Sequence, residues 1–193
     1  MGLGREEAIA GLLEEYEAFG ALVRSLDEKQ WEQRSRCAGW TAGDVARHVV
    51  GTATEVADEL DTALVTLRNL AAIINDDAWN GPSPVPDLTM RQGILTLIYD
   101  LYVHDDDIRV AVDLPARDTR LGLDASVEYL AEQLGERGWG PATLALDGME
   151  KTEIGGGGDP ITGDAKQFVM VACGRDDPRT LGLDESVNIY ADA

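Results

Sequence analysis

The stretch CAGWTAGDVARHVVG at residues 37–51 contains one of only two histidines in the 193-residue chain. Thr41 is followed three residues later by Asp44, the spacing of a capping box, in which both side chains bind free N–H groups at the start of a helix. Apolar and small residues then recur at helical spacing as far as Leu70 and include His48. The pattern predicts one long helix from Thr41 to about Leu70, with His48 on its buried face.

The second histidine lies in LIYDLYVHDDDIRVAV at residues 97–112. Asp100 precedes His104 by four residues, so on a helix their side chains share one face, a turn apart. The residues before the histidine are otherwise almost wholly apolar, which predicts a helix over about 90–113 with a buried middle. A buried carboxylate is costly unless it is paired or bound to a metal. Asp100, His104 and His48 are therefore a candidate three-ligand metal site.

Simpler interpretations of the same residues remain open. A histidine on an apolar helix face is often a packed core residue, and Asp100 could pair with Arg47 of the neighbouring helix. The run Asp105–Asp107 is typical of a solvated acidic patch. Trp40 is typical of a packing residue that anchors the loop before a helix. Cys37 has no neighbouring base in the sequence, which favours a structural role over a nucleophilic one.

Charge and composition narrow the classes of function. Acidic residues outnumber basic ones by 36 to 16, and a net charge of −20 disfavours nucleic acid and anionic membranes as partners. An apolar share of 44% is enough for a packed core. No apolar stretch reaches membrane length and the N-terminus lacks a secretion signal, so a cytoplasmic protein is expected. Cys37 and Cys173 lack metal-site spacing and are expected to be free thiols.

The remaining periodicity predicts a helical bundle with a mixed tail. A first amphipathic helix is predicted over about 5–26, and another over about 124–137 with Asp124 at its N-cap. The proline-rich segment 75–87 is predicted to be a loop. With the two helices above, these make a four-helix bundle joined by short connections.

The tail changes character after Gly138. ATLALD and SVNIYA are typical of short strands, GGGG at 155–158 of a flexible turn, and ITGDAKQFVMVACGR at 161–175 of a helix closed by Gly174. The expected organisation is therefore residues 1–117 for the first three bundle helices, 118–138 for the fourth, and 139–193 for a small α+β subdomain. The predicted fold class is mainly α with a small α+β tail.

The quoted stretches resemble the mycothiol-dependent maleylpyruvate isomerase family, within the DinB-like superfamily of metal-binding four-helix bundles. Residues 37–51 are similar to the family's CPGWTVRDVVAHL signature, and DLYVHDDDIRVAV at residues 100–112 to its E-x-x-x-H-x-x-D helix. Residues 161–175 are similar to its C-terminal VTGDAADLLLLLWGR segment. The resemblance covers nearly the whole chain in order, and implies a DinB-like four-helix bundle followed by a short C-terminal α/β subdomain.

The resemblance implies a metal site and two further functional residues. It implies that His48, Asp100 and His104 bind a divalent metal, usually zinc; Asp100 stands where the family has glutamate. Asp107 matches the acidic position after the second histidine and is expected to orient His104 or cap neighbouring backbone. Arg175 matches the arginine of the family's terminal GR and is expected to bind a carboxylate of the thiol or substrate. It could equally close a helix C-terminus.

The activity implied by the resemblance is that of a metal-dependent enzyme with mycothiol as thiol cofactor. Its partners would be a low-molecular-weight thiol and a small electrophile, which it would isomerise, as maleylpyruvate isomerase does, or to which it would transfer the thiol. Two neutral imidazoles and one carboxylate leave a tetrahedral zinc with one open position, which a thiol or water can enter. A metal-dependent hydrolase and a non-catalytic binding protein are therefore alternatives. Monomer and homodimer both remain open.

Overall fold

The first two thirds of the chain are helical in the computed structural model, which describes residues 2–51, 56–117 and 119–191. The helices there are α1 (Arg5–Ser25), α2 (Glu28–Trp31), α3 (Ala42–Val50), α4 (Val56–Ala71), α5 (Asp76–Asn80), α6 (Met90–Ala111) and α7 (Arg120–Glu136). The tail contains β1 (Ala142–Leu146), β2 (Thr152–Ile154), β3 (Pro160–Gly163) and α8 (Ala165–Ala172). The predicted fold class, mainly α with a small α+β tail, is confirmed.

Two units make up the chain. The N-terminal unit is Gly4–Gly122, and the C-terminal unit is Leu123–Ala193 together with Met1–Leu3. In the N-terminal unit, α1 packs on α4 and α6, α3 packs on the same two helices, and α5 packs on α6. Its core contains fully buried side chains from three helices, among them Phe19, Val45, Leu95, Ile98 and Ile108. The unit therefore surrounds α6 with apolar faces of its neighbours.

The predicted capping box of Thr41 and Asp44 is confirmed, and a second box has formed at Thr89 and Gln92. The Thr41 hydroxyl accepts a hydrogen bond from the Asp44 N–H at 3.2 Å, and the Asp44 carboxylate accepts one from the Thr41 N–H at 3.0 Å. Thr89 and Gln92 repeat the arrangement at the start of α6, at 3.2 and 2.9 Å. The two helices that carry the histidines thus begin at positions fixed by local sequence.

Replacing Thr89 by alanine is expected to lower the free energy of unfolding by about 1 kcal/mol, because the N–H of Gln92 loses its acceptor. Thr62→Ala is the matched control, since the Thr62 hydroxyl only bonds the Asp58 carbonyl within α4. Urea unfolding followed by circular dichroism measures both. Equal losses in the two variants would contradict the role of the cap.

The predicted long second helix is wrong. Helix α3 ends at Val50, and Gly51 follows in the left-handed conformation with φ of 70°. Its N–H bonds the carbonyls of Arg47 and His48, which terminates the helix. Residues 52–55 of the predicted helix lie outside the described residues, and α4 is described from Val56. In the predicted proline-rich loop, Asp76–Asn80 form a short helix capped by the Asn75 side chain.

A buried charged cluster joins α1 to the segment before α7. Glu15 is 1% exposed and accepts hydrogen bonds from the Arg117 guanidinium and, at 2.8 Å, from the Thr119 hydroxyl. The Arg117 Nε atom lies 3.8 Å from Asp105 Oδ1. A Cβ atom at Gly122 would collide with the Glu15 carboxylate, so a larger residue there would have to shift that buried side chain.

The C-terminal unit contains a three-stranded sheet in the order β2-β1-β3. Strand β1 is antiparallel to β2 and parallel to β3. Leu144 of β1, Ile154 of β2 and Phe168 of α8 are buried, and Leu130 and Leu134 of α7 are too. The unit thus has an apolar core of its own.

Three expectations for this part of the chain are corrected. Helix α7 begins at Arg120, so Asp124 lies inside it and not at its N-cap. Within residues 161–175 the helix is limited to Ala165–Ala172, because Asp164 caps it and β3 precedes it. The predicted strand SVNIYA instead begins with a 3₁₀ turn at Glu185–Val187, capped by the Asp184 side chain.

Among the described residues, no helix combines the length and apolar character needed to cross a membrane.

Candidate metal centre

Helix α6 carries Asp100 and His104 one turn apart, as the spacing predicts. Asp100 Oδ1 lies 3.5 Å from His104 Nε2. Helix α3 places the His48 ring against them, with 5.2 Å between the two imidazole centroids and an interplanar angle of 83°. One ligand atom from each of the three side chains lies within 4.8 Å of the other two. The structure therefore brings the three predicted ligands together.

The three side chains differ in exposure. His104 is 7% exposed, the Asp100 side chain is 37% exposed, and His48 is exposed, so the prediction that His48 points inward is wrong. The buried face of α3 consists of Ala42, Gly43, Val45 and Ala46, and His48 lies at the edge of that face in the last turn. The Trp40 ring lies 4.9 Å from the His48 ring and covers one side of it. The donor cluster consequently has one buried side and one side open to solvent.

Asp107 holds His104 from behind. Its Oδ2 atom lies 3.0 Å from His104 Nδ1, and Asp107 is fully buried. An Nδ1–H that donates to this carboxylate leaves the Nε2 atom directed at Asp100 and His48. Carboxylates in this position fix the orientation of metal-binding histidines and raise their basicity.

A loop from Gln33 to Thr41 brings two more side chains to Asp107. Arg36 donates to Asp107 Oδ1 from Nε at 3.1 Å, and the Cys37 thiol donates to Oδ2 at 3.2 Å. The loop is closed by hydrogen bonds from the Ser35 N–H to the Trp40 carbonyl and from the Trp40 N–H to the Cys37 carbonyl. Because the loop turns tightly, Arg36 and Cys37 reach Asp107 behind His104, while Trp40 of the same loop reaches the His48 ring.

The environment of His104 favours its charged form. Burial lowers the pKa of this imidazole, but hydrogen bonds with Asp107 and Cys37 and the negative charges of Asp100 and Asp107 outweigh that effect and raise the pKa to about 9. A cation at Nε2 would take the place of that proton. The same charges that hold the proton would favour a bound cation.

The donor set fits a tetrahedral divalent metal. Bonds of roughly 2.0–2.2 Å to nitrogen and oxygen place neighbouring ligand atoms about 3.4 Å apart, close to the 3.5 Å between Asp100 Oδ1 and His104 Nε2. Two imidazoles and one carboxylate are typical of zinc sites that keep an open position. Asp100 therefore reaches the ligand cluster although it is one methylene shorter than glutamate.

Cys37, His104 and Asp107 form a second group of ligand atoms within 4.8 Å of one another. The hydrogen bonds of Asp107 to Arg36, Cys37 and His104 already occupy both of its oxygens. A cation there would have to replace the protons that the Cys37 thiol and His104 Nδ1 share with Asp107 Oδ2, and it would lie close to the Arg36 guanidinium on Oδ1. The group with His48 and Asp100 is the better metal site, because no cationic side chain competes for it in the described ion pairs.

Two of the simpler interpretations are wrong. Arg47 donates to Asp44 at 3.1 Å and lies over the Trp31 ring, so it does not serve as the partner of Asp100. Asp105–Asp107 are not a solvated patch, since they are 3%, 6% and 0% exposed. Each has an arginine partner: Asp105 pairs with Arg109, while Asp106 and Asp107 share Arg36.

Known proteins share this fold and part of this sequence. The family model of the mycothiol maleylpyruvate isomerase N-terminal domain matches residues 12–66, which include Trp40 and His48. A crystal structure of the mycothiol-dependent maleylpyruvate isomerase superposes with a TM-score of 0.56 at 18% identity, covering 90% of both chains. A histidine-to-alanine mutant of that enzyme gives 0.52 at 17% identity and the same coverage. The chain has the fold of maleylpyruvate isomerase. No curated protein matches its sequence.

The maleylpyruvate isomerase fold confirms the resemblance that the sequence motifs indicate. The matched family segment ends before Asp100 and His104, so the ligand roles of these two residues depend on their geometry and on the motif. Arg175 lies in the C-terminal unit, after α8, where its Nη1 atom donates to the Cys173 carbonyl at 2.9 Å. This contact is the one expected of an arginine at a helix C-terminus. Its role in binding a thiol or substrate stays a prediction.

Sequence reasoning missed the contacts of Arg36 and Cys37. The sequence shows no base adjacent to Cys37, but its thiol contacts the Asp107 carboxylate. Both residues reach the site through a loop 70 or more positions away in sequence from their partners. The only hint in the sequence is that Cys37 begins the signature stretch 37–51, which contains His48, and that Arg36 directly precedes it.

Proposed function

We propose that this protein is a metal-dependent enzyme that uses a low-molecular-weight thiol, mycothiol, to isomerise or to modify a small electrophile. The observation that carries the proposal is the cluster of His48, Asp100 and His104 donor atoms, with Asp107 behind His104. The isomerase-like fold supports the choice of thiol chemistry.

The donor cluster would bind a divalent cation, for which zinc is the best fit. The bound cation would supply positive charge that stabilises the thiolate of an added thiol at neutral pH. Asp107 holds the Nδ1 proton of His104 and so directs Nε2 toward the cluster. Trp40 limits rotation of the exposed His48 ring through the contact of the two rings. These contacts keep two of the donors in place before any ligand arrives.

Access to the cluster comes from its exposed side. His48 is exposed and the Asp100 side chain is 37% exposed, whereas the opposite side is closed by buried Asp107. Trp40 and Leu97 are 36% and 40% exposed and supply apolar surface in the loop and on α6, respectively. A small molecule with an apolar part and a negatively charged sulfur suits this combination of an apolar rim and a cationic centre.

The proposed isomerisation conserves the thiol. The thiol releases its proton to solvent, and its sulfur adds to one carbon of an electron-poor cis double bond while the π electron pair moves to the conjugated carbonyl. Rotation about the resulting single bond and return of the electron pair break the carbon–sulfur bond and leave the trans isomer. In a thiol transfer, the carbon–sulfur bond would stay. The reaction would end when the neighbouring carbon takes up a proton from solvent, or when the electrophile releases a leaving group.

Zinc-loaded wild-type protein is expected to consume maleylpyruvate or monochlorobimane only in the presence of mycothiol. Asp100→Ala removes one donor, and we expect it to lower zinc content and turnover together. Asp77→Ala, at an exposed carboxylate of α5, is the control for the loss of one negative charge. Metal content by mass spectrometry and turnover by absorbance or fluorescence are measured on the same preparations.

Three outcomes would overturn parts of this proposal. Turnover without thiol would indicate a metal-dependent hydrolase. Zinc binding without turnover of either electrophile would indicate a binding protein. Equal zinc content in wild type, Asp100→Ala and Asp77→Ala would contradict the proposed metal site itself.

A further inference from the structure

Arg36 contacts one oxygen of the Asp107 carboxylate, and the other oxygen of that carboxylate faces His104. Its Nε and Nη2 atoms lie 3.1 and 3.0 Å from Asp107 Oδ1. Asp107 Oδ2 is left for His104 Nδ1 at 3.0 Å and for the Cys37 thiol at 3.2 Å. A two-pronged contact to one oxygen fixes the rotation of the carboxylate, and therefore fixes where the second oxygen points.

Arg36 has a second contact, which allows its role in anchoring the loop to be distinguished from its role in orienting Asp107. Nη2 also donates to Asp106 Oδ2 at 2.7 Å, and the Asp106 side chain is 9% exposed. This contact ties the loop to α6 without passing through Asp107. Loss of the Asp106 contact tests loop anchoring, whereas loss of the Asp107 contact tests the orientation of His104.

Cys37 is too weak a donor to replace Arg36. A thiol makes a weak hydrogen bond and donates to Oδ2, the same oxygen that His104 uses. The Arg36 side chain is 25% exposed, so its charge is partly screened, whereas Asp107 is fully buried. Geometry at Asp107 therefore depends on the arginine fork more than on the thiol.

We propose that Arg36 is a positioning residue of the metal centre, which orients Asp107 and through it the metal-binding nitrogen of His104. The predicted effect on metal affinity rests on the proposed function, whereas the predicted orientation of the His104 ring does not. Partners of this kind behind a metal-binding histidine typically contribute about 10–100-fold to metal affinity. Nothing in the sequence motifs assigns this task to Arg36.

The test uses Arg36→Lys, which keeps the positive charge and loses the fork. Full-length apo protein is titrated with zinc against a chromophoric chelator. We expect the zinc Kd of Arg36→Lys to rise at least ~10-fold, and that of Arg36→Gln to rise by a similar factor. Asp106→Asn removes charge from the other partner of Arg36 and is expected to change the Kd less than about 3-fold.

A second measurement needs no metal. The chain has two histidines, so a ¹H–¹⁵N spectrum of the imidazole rings is assigned with His48→Ala alone. The Nδ1–H signal of His104 is expected in wild-type apo protein and in Asp106→Asn, and is expected to be lost to water exchange in Arg36→Lys.

The outcomes separate this inference from the proposed function. A wild type that binds no zinc would defeat the metal proposal, while the Nδ1–H signals would still decide the role of Arg36. An unchanged signal and Kd in Arg36→Lys would overturn that role. So would an equal loss in Asp106→Asn, because it would assign the effect to loop anchoring. A normal Kd in Arg36→Lys with a changed one in Arg36→Gln would make charge, not the fork, responsible.

Discussion

His104→Ala is expected to raise the zinc Kd by more than about 100-fold and to reduce thiol-dependent turnover below detection. Loss of a partner behind a metal ligand typically costs about 10–100-fold, and loss of the ligand itself should exceed that range. His104 is the ligand with the least exposure, and it is held by Asp107 in the direction of the other donors. Its removal also leaves Asp100 and His48 without the donor that joins them.

The comparison with His48→Ala sharpens this expectation. His48 is exposed and has ring contacts with Trp40 and His104 but no hydrogen-bonded carboxylate among the contacts described, so water can replace it at the cation at a smaller cost. We expect its Kd to rise less than that of His104→Ala. Competition with a chelator gives both constants, and circular dichroism of the apo variants shows whether α6 persists. Zinc affinity within about 3-fold of wild type in His104→Ala would rule out the proposed ligand set.

Local signals explain which parts of the site the sequence could predict. Thr41 and Thr89 fix the starts of two helices through side chains three residues away, and Asp100 and His104 share a helix face by spacing alone. These features depend on neighbours within one turn. Spacing does not relate one helix to another, so the residues alone made His48 only a candidate partner of the α6 pair, and the family motif gave the stronger reason to join them.

The run Asp105–Asp107 shows where sequence reasoning fails. Successive helix residues project about 100° apart, so three in a row cover much of the helix circumference. An acidic run on a helix is usually solvated, but here the helix is enclosed in all three directions. The cost of burying the carboxylates is offset by arginines, and one of these, Arg36, is 70 positions away from Asp106 in sequence.

His48 and the tail illustrate a second cause of error. Period-3.6 spacing continues past Gly51 in the sequence, but one glycine in a left-handed conformation ends α3, and the exposed His48 lies in its last turn. SVNIYA alternates like a strand, yet the Asp184 side chain caps a turn at its start. In both cases a single capping interaction prevailed over hydrophobic periodicity.

Arg117→Ala is expected to lower the free energy of unfolding by about 3–5 kcal/mol at pH 8, because it leaves the buried Glu15 carboxylate without its cation. Burial raises the pKa of Glu15 to about 7, although Arg117 and Thr119 act in the opposite direction. A carboxyl whose pKa is higher in the folded than in the unfolded protein stabilises the fold while protonated. Its contribution is therefore lost as pH rises from about 4.5 to 7.

The same sign predicts how the Arg117→Ala defect depends on pH. Without the guanidinium the pKa of Glu15 rises further. At pH 5.5 Glu15 is protonated in both proteins and no buried charge is left unpaired, so the loss should shrink to less than half of its value at pH 8. Arg68→Ala, which breaks an exposed pair with Glu17, should change stability by less than about 0.5 kcal/mol at both pH values. Urea unfolding at the two pH values measures all of these.

The double variant Glu15→Gln/Arg117→Ala isolates the buried charge from the lost packing. The introduced glutamine is neutral and can still accept the Thr119 hydrogen bond, so we expect the pair of changes to recover most of the stability that Arg117→Ala loses at pH 8. The double variant should also lose the part of the pH dependence of stability between pH 5.5 and pH 8 that comes from Glu15, because glutamine does not titrate. A double variant as unstable as Arg117→Ala would show that Arg117 acts by packing between α1 and α6, and not by neutralising Glu15.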